Sequence, residues 1–336
     1  MGGGYSEYGL RIKVLVPRES EIENAYGLDI IELDHPIAID DMGNKSFSGW
    51  TRKTAELYAH EQNGYFVNFS GYAPRKAYGP CVMHDLRPLY FDDGTEFYQN
   101  VKFKTNFRLN CMVARMRELP IMTISAYSKQ TIIDALQIDG EKIYNSYCGW
   151  QHILDVREDW SIFETYPDLT IKPFVFALGS IAPHKNYKWI VEAAKKNPDF
   201  IFVIAGGKEL ATFGKGGEIK EQGNLLYLGY IESETAKALM MKAKALLFPS
   251  LYEGFGIPPL EAMAVGTEVI ASRETCLPEI LGNSAHYIDA NNPDVKIMDV
   301  LKQTVTEHSK HVALSRYSWE KTGQVWLKLL SEMEKH

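Results

Sequence analysis

An α/β protein with two doubly wound, parallel-sheet domains is what this sequence predicts, and three observations predict it. The second half alternates short apolar runs with helical segments. The length of 336 residues suits two α/β domains of ordinary size. Residues 245–262 read as strand, glycine turn and helix, the unit that binds phosphate in open sheets.

The alternation is regular from residue 174 onward. FVFALG (174–179), IFVIAG (201–206), LLYLG (225–229), ALLFP (245–249) and EVIAS (268–272) are short apolar runs. Runs of this kind form strands buried on both faces of a parallel sheet. NYKWIVEAAKK (186–196) and ESETAKALMMKAK (232–244) lie between them, and Trp189, Ile190, Ala193 and Ala194 share one helical face. The first half is less regular. RIKVLVP (11–17), GYFVNF (64–69), GPCVMHD (79–85) and PIMTIS (120–125) are strand candidates, and SKQTIIDAL (128–136) is a helix with Ser128 as its N-cap. The polar stretch from Arg157 to Pro173 is the interdomain linker. Domains of 1–165 and 166–315 follow, with an amphipathic helix over 316–336.

Composition narrows the function classes. A hydrophobic content of 45% supplies two cores, and the net charge of −7 argues against nucleic acid as a partner. No run is long enough to span a membrane, and Met1-Gly-Gly-Gly does not open a signal peptide. Cys81, Cys111, Cys148 and Cys276 form no CxxC pair, which suggests reduced thiols in a cytoplasm.

In SLYEGFGIPPLEA (250–262), Glu253 and Glu261 flank a turn containing Gly254 and Gly256. Pro258 or Pro259 suits the first helical position, which places Glu261 in the first turn and Glu253 in the loop. Backbone N–H groups at such a helix start attract a phosphate. FALGSIAPHKNYKWI (176–190) ends a strand at Gly179 and sets Lys185 just before a helix near Asn186, where an ammonium reaches a phosphate above the strand ends. CVMHDLRPLYF (81–91) puts His84 and Asp85 at a strand's C-terminal rim, with Arg87 close by.

The run YEGFGIPPLEAMAVGTEVIAS resembles the C-terminal signature of retaining glycosyltransferases of family four, which have the two-domain GT-B fold. The resemblance covers most of residues 80–330 and is sharpest over 174–280. YNSYCGWQHI (144–153) is similar to bacterial surface-polysaccharide glycosyltransferases, rhamnosyltransferase-like members included. It implies retaining transfer from a nucleotide diphosphate sugar, with UDP or dTDP as carrier, to a glycan or lipid-linked acceptor. The implied donor site is Gly179, His184, Lys185, Tyr230, Ile231, Glu253, Gly254, Phe255, Gly256, Ile257 and Glu261. Within it Lys185 steadies the leaving diphosphate, Glu253 orients the sugar and Glu261 binds the ribose. His84 approaches the transferred sugar, and Asp85 and Arg87 face the acceptor or donor. In the family an arginine usually stands where His184 does; as a cation His184 would favour an anion. LPE (277–279) also matches the family and is expected to be structural.

GGGYSEYG (2–9) resembles the family's glycine loop, which assigns Gly3 and Gly4, yet no strand precedes it. No D-x-D run between apolar strands appears, so neither metal nor resident cofactor is expected. The stretch VKFKTNFRLNCMVARMRE (101–118) interleaves Lys102, Lys104, Arg108, Arg115 and Arg117 with Phe103, Phe107, Met112 and Met116. A core helix with a solvated basic face explains it; so does a helix resting on an anionic membrane surface. Two rival readings come from other classes. A nucleotide-dependent oxidoreductase needs G-x-G-x-x-G after a strand, which neither AGGKEL nor GFGIPP supplies. A catalytically silent GT-B subunit would bind nucleotide without turnover.

Overall fold

A computed structural model describes residues 11–17, 29–34, 38–39, 45–91, 97–180, 182–207 and 223–333. In the first half, β1 (Lys13–Pro17) pairs in parallel with β2 (Asp29–Leu33), and β3 (Ala38–Ile39) pairs antiparallel with β4 (Lys45–Ser46). β5 (Cys81–Val82), β6 (Ile121–Thr123) and β7 (Ile143–Asn145) form a three-stranded parallel sheet. The second half holds β8 (Phe174–Leu178), β9 (Ile201–Ala205), β10 (Leu225–Gly229), β11 (Ala245–Phe248), β12 (Glu268–Ser272) and β13 (His286–Ile288). These six strands are all parallel, in the order β10-β9-β8-β11-β12-β13.

The apolar runs look uniform in sequence, but the strand pleat divides each of them between two cores. Val175 and Ala177 face Trp189, Ile190, Ala193 and Ala194 of the helix Tyr187–Lys196. Phe174 and Phe176 face the other way, with Leu239 and Met240 of the helix Ser233–Lys242 and Leu260 and Met263 of the helix Ile257–Ala264. Helices on both faces make the sheet doubly wound. Its strand order reverses between β8 and β11, which opens a crevice at their C-terminal ends.

The smaller sheet is completed from a distance. Leu329 and Met333 of the last helix, Trp319–Met333, pack on Val82 and Met122, and the Tyr65 hydroxyl donates to the Met333 carbonyl at 2.7 Å. The chain therefore returns to its first half after building the second.

Local readings differ from the structure where tertiary contacts decide. Residues 64–69 form no strand: Tyr65 and Asn68 make isolated parallel bridges to Tyr78 and Cys81. That close approach requires Gly79, where a Cβ would sit 2.0 Å from the Phe66 carbonyl oxygen. The helix expected from Ser128 starts at Ala126, and its N-cap is Ser125, whose hydroxyl accepts from the Ser128 N–H. β7 and β13 are too short to announce themselves. The stretch 157–173 contains two single-turn helices, Ile162–Thr165 and Asp168–Ile171.

Candidate active site

Two loops meet at the crevice between β8 and β11. The chain leaves β8 through Gly179, at φ 154°, and reaches Lys185 in a short 3₁₀ turn over Pro183–Lys185. Close packing of the neighbouring strand ends depends on Gly206, since a Cβ there would lie 1.9 Å from the Gly179 carbonyl oxygen. Asn186, in the left-handed region at φ 58°, turns the chain into its helix. Its side-chain amide donates to the carbonyls of Pro249 and Ala290, at 3.1 and 2.8 Å, tying the two loops together.

The Lys185 ammonium lies 2.8 Å from Glu253 Oε1, and the two side chains are only 15% and 11% exposed. The ammonium also rests over the Phe248 ring, 4.9 Å from its centre. Glu253 is fixed through its backbone: its N–H donates to Thr275 Oγ1, and its carbonyl accepts from the same hydroxyl and from Cys276 Sγ. Beyond Glu253 the N–H groups of Gly254, Phe255, Gly256 and Ile257 meet no acceptor among the described residues. Gly256, at φ 97°, caps the helix Ile257–Ala264. The helix begins at Ile257, so the prolines stand at its second and third positions rather than the first. They remove two of the donors a helix start normally offers and leave those of Gly256 and Ile257. The Phe255 ring is buried against Tyr147 and Tyr317, so this residue presents only its backbone.

Glu261 is the fifth residue of the helix, one place beyond the first turn expected for it. Its carboxylate is 12% exposed. Burial raises its pKa, and His152, whose Nε2 lies 2.7 Å from Glu261 Oε1, opposes that shift.

The first half forms the opposite wall. His84 is exposed at the rim, its Nε2 2.9 Å from the Phe69 carbonyl. Asp85 Oδ1 accepts from the Arg87 N–H at 2.7 Å, and Asp85 Oδ2 lies 2.7 Å from where a Cβ on Gly254 would stand. Gly254 is therefore one point at which the two walls touch. Burial raises the Asp85 pKa against the pull of Arg87, His84 and Lys185. His184 is 5% exposed, with its Nδ1 unpartnered. Burial, then Arg87 and Lys185, push its pKa down to about 3, so the cationic form named for an anion clamp is absent near neutral pH.

Sequence reasoning missed the aromatic residues here, while LPE was expected to be structural. Tyr252 stacks with Tyr90 at 6.0 Å and meets the edges of Phe91 and Tyr127, so aromatic rings seal the contact between the walls. Glu279 of LPE does structural work across that contact, accepting from the N–H groups of Ala126 and Tyr127 at 2.8 and 2.9 Å. It caps a helix of the first half from the second. Tyr230 is exposed, Ile231 is half-buried, and both follow β10 beside Gly206, whose N–H donates to the Gly229 carbonyl. Gly3 and Gly4 lie outside the described residues, as do residues 208–222.

A six-stranded parallel sheet whose switch point faces a smaller parallel sheet is the architecture of a GT-B enzyme. The solved structure of Anabaena Alr3699/HepE in complex with UDP-glucose has this fold, with a TM-score of 0.65 and 16% identity over 95% of this chain and 99% of that one. Residues 160–318 match the family model described as glycosyl transferases group 1. The chain is 30% identical to the O-antigen chain mannosyltransferase RfbU of Salmonella typhimurium over 73% of this chain and 68% of that one. It is 26% identical to the O-antigen chain mannosyltransferase B of Escherichia coli over 60% of this chain and 57% of that protein. The chain belongs to the glycosyl transferases group 1 family and is a glycosyltransferase.

Proposed function

We propose that this enzyme transfers a sugar, mannosyl by analogy with its relatives, from a nucleoside diphosphate to a hydroxyl of a growing surface polysaccharide or lipid-linked saccharide, with retention at the anomeric carbon. One observation carries the proposal: free N–H groups at 254–257 meet the Lys185–Glu253 pair at one sheet switch point, and Glu261 stands on the helix that starts there. The leaving diphosphate settles on the Gly256 and Ile257 N–H groups and draws the Lys185 ammonium from Glu253. Preorganised donors of this kind stabilise charge as it develops and need no metal ion. Glu253, released from its partner, orients the donor sugar through its hydroxyls. Glu261 accepts from the ribose hydroxyls, and His84 meets the sugar as positive charge grows at the anomeric carbon. The acceptor hydroxyl attacks on the face the diphosphate leaves.

UDP in the similar Anabaena structure makes uridine and thymidine donors the first to try. A thermal-shift screen of UDP-, dTDP- and GDP-sugars finds the donor, and transfer is then measured for Lys185→Ala and Glu253→Ala. Unchanged turnover in both variants would overturn the assignment.

Membrane contact is part of the same reading. No helix among the described residues is long and apolar enough to cross a membrane. Val101, Arg108, Met112, Arg115 and Met116 are exposed along one side of the helix Phe97–Met116. A mixed basic and apolar stripe supports docking on an anionic surface, where a lipid-linked acceptor is found. Co-sedimentation with phosphatidylglycerol vesicles, lost in Met112→Asp/Met116→Asp, tests it.

A further inference from the structure

Glu261 stands at the end of a chain of hydrogen bonds that begins in the last helix. The Trp319 indole N–H donates to His152 Nδ1 at 3.0 Å. Because Nδ1 accepts that proton, the ring hydrogen resides on Nε2, which donates to Glu261 Oε1 at 2.7 Å. A single tautomer satisfies both bonds, and each partner is built in. Gln151 Oε1 accepts from the Trp319 backbone N–H, and Gln151 Nε2 donates to the Tyr317 carbonyl. Gly149 permits this approach, since a Cβ there would lie 2.2 Å from the Trp319 nitrogen. Trp319 opens the helix that returns to pack on β5 and β6, so the chain of bonds starts where the two halves join.

We propose that His152 and Trp319 are positioning residues for the donor's ribose: they hold one oxygen of Glu261 and so aim the other at the ribose hydroxyls. The inference rests on the reading of Glu261 as the ribose ligand. A neutral imidazole suits the task. It restrains the carboxylate without cancelling its charge, leaving Oε2, which no described residue reaches, to accept from a diol. His152 does not touch the donor; it acts through Glu261.

The test is ribose discrimination. Binding of UDP against 2′-deoxy-UDP, and of GDP against 2′-deoxy-GDP, is measured by titration calorimetry, and the tighter-binding base is used. Wild type prefers the ribonucleotide by about tenfold, the worth of one hydrogen bond to a charged acceptor. Glu261→Ala abolishes that preference. His152→Ala and Trp319→Phe reduce it to below about threefold and raise the donor KM with little change in kcat, while His152→Gln, which keeps an acceptor and a donor, recovers most of it. Trp319→Phe retains the ring, and a thermal melt checks that it folds.

If Glu261→Ala keeps the preference, or neither nucleotide pair binds, the ribose reading fails and this inference with it. If Glu261→Ala loses the preference while His152→Ala and Trp319→Phe keep it, the ribose reading stands and the positioning role is overturned.

Discussion

Glu253 and Glu261 flank one turn and are almost equally buried, yet they are held in opposite ways. Glu253 is paired with a permanent cation, Lys185, at 2.8 Å. Glu261 is held by an imidazole whose second nitrogen is occupied by Trp319. The difference suits different tasks. A mobile ammonium can exchange a carboxylate for a phosphate and follow negative charge as the donor bond breaks. A fixed neutral donor keeps a carboxylate available to neutral hydroxyls, which demand aim more than charge.

Lys185→Ala separates the two ends most sharply. It removes the counter-charge proposed for the leaving group, and kcat/KM is expected to fall about 10²–10³-fold, the usual worth of one such group. It also leaves Glu253 buried without its partner, so the melting temperature falls as well. Lys185→Ala/Glu253→Ala restores the melting temperature without restoring activity. Recovery of transfer in the double variant would show the ion pair to be architecture only.

Gly254→Ala tests the wall contact that sets the turn. Its new Cβ would meet Asp85 Oδ2 at 2.7 Å, and overpacking of this kind costs about 1–3 kcal/mol. A fall of about tenfold in kcat/KM is expected, with recovery when Asp85→Ala is added. Glu279→Ala should do less. It removes a cap of about 1 kcal/mol from the helix Ala126–Leu136, lowers the melting temperature slightly and leaves the donor KM within about threefold. A large change in KM would mean that this contact, not the turn, governs the site.

The last effect is one of pH and touches stability rather than turnover. His184 has its folded pKa pushed down to about 3, below its ordinary value, so between that ordinary value and about 3 the unfolded chain binds a proton the folded chain refuses. His184 thus costs stability increasingly as pH falls through this window and costs none above it. Urea unfolding at pH 7 and pH 5 should show a smaller loss in His184→Phe than in wild type. Equal losses would place His184 in a wetter setting than its burial indicates.

The second half was legible because every strand of β8 to β12 is an apolar run bounded by turn residues, a pattern that needs no distant partner. The first half was legible in part: RIKVLVP, GPCVMHD and PIMTIS hold β1, β5 and β6, whereas 64–69 forms no strand and β2 and β7 went unread. β5 has two residues and β6 three, and both are held by Leu329 and Met333 from more than 200 positions away, which no local pattern reveals. The turn at 253–261 was readable for the same local reason. The partner of Glu261 was not, since His152 lies 109 positions away and Trp319 a further 167 from His152. One trace existed: Gly149, Gln151 and His152 fall within the CGWQH run whose resemblance to polysaccharide glycosyltransferases was apparent, though nothing in the run names its contacts.

By itself the sequence determined the parallel sheet, the switch-point turn and the identity of the groups that line it, because backbone preference, strand burial and glycine's positive φ act over a few residues. Only the tertiary structure decided which group meets which: that Lys185 pairs with Glu253, that His184 is buried, and that Glu261 meets His152, itself bonded to Trp319. Pairing depends on distance and desolvation in space, and neither is a property of neighbours along the chain.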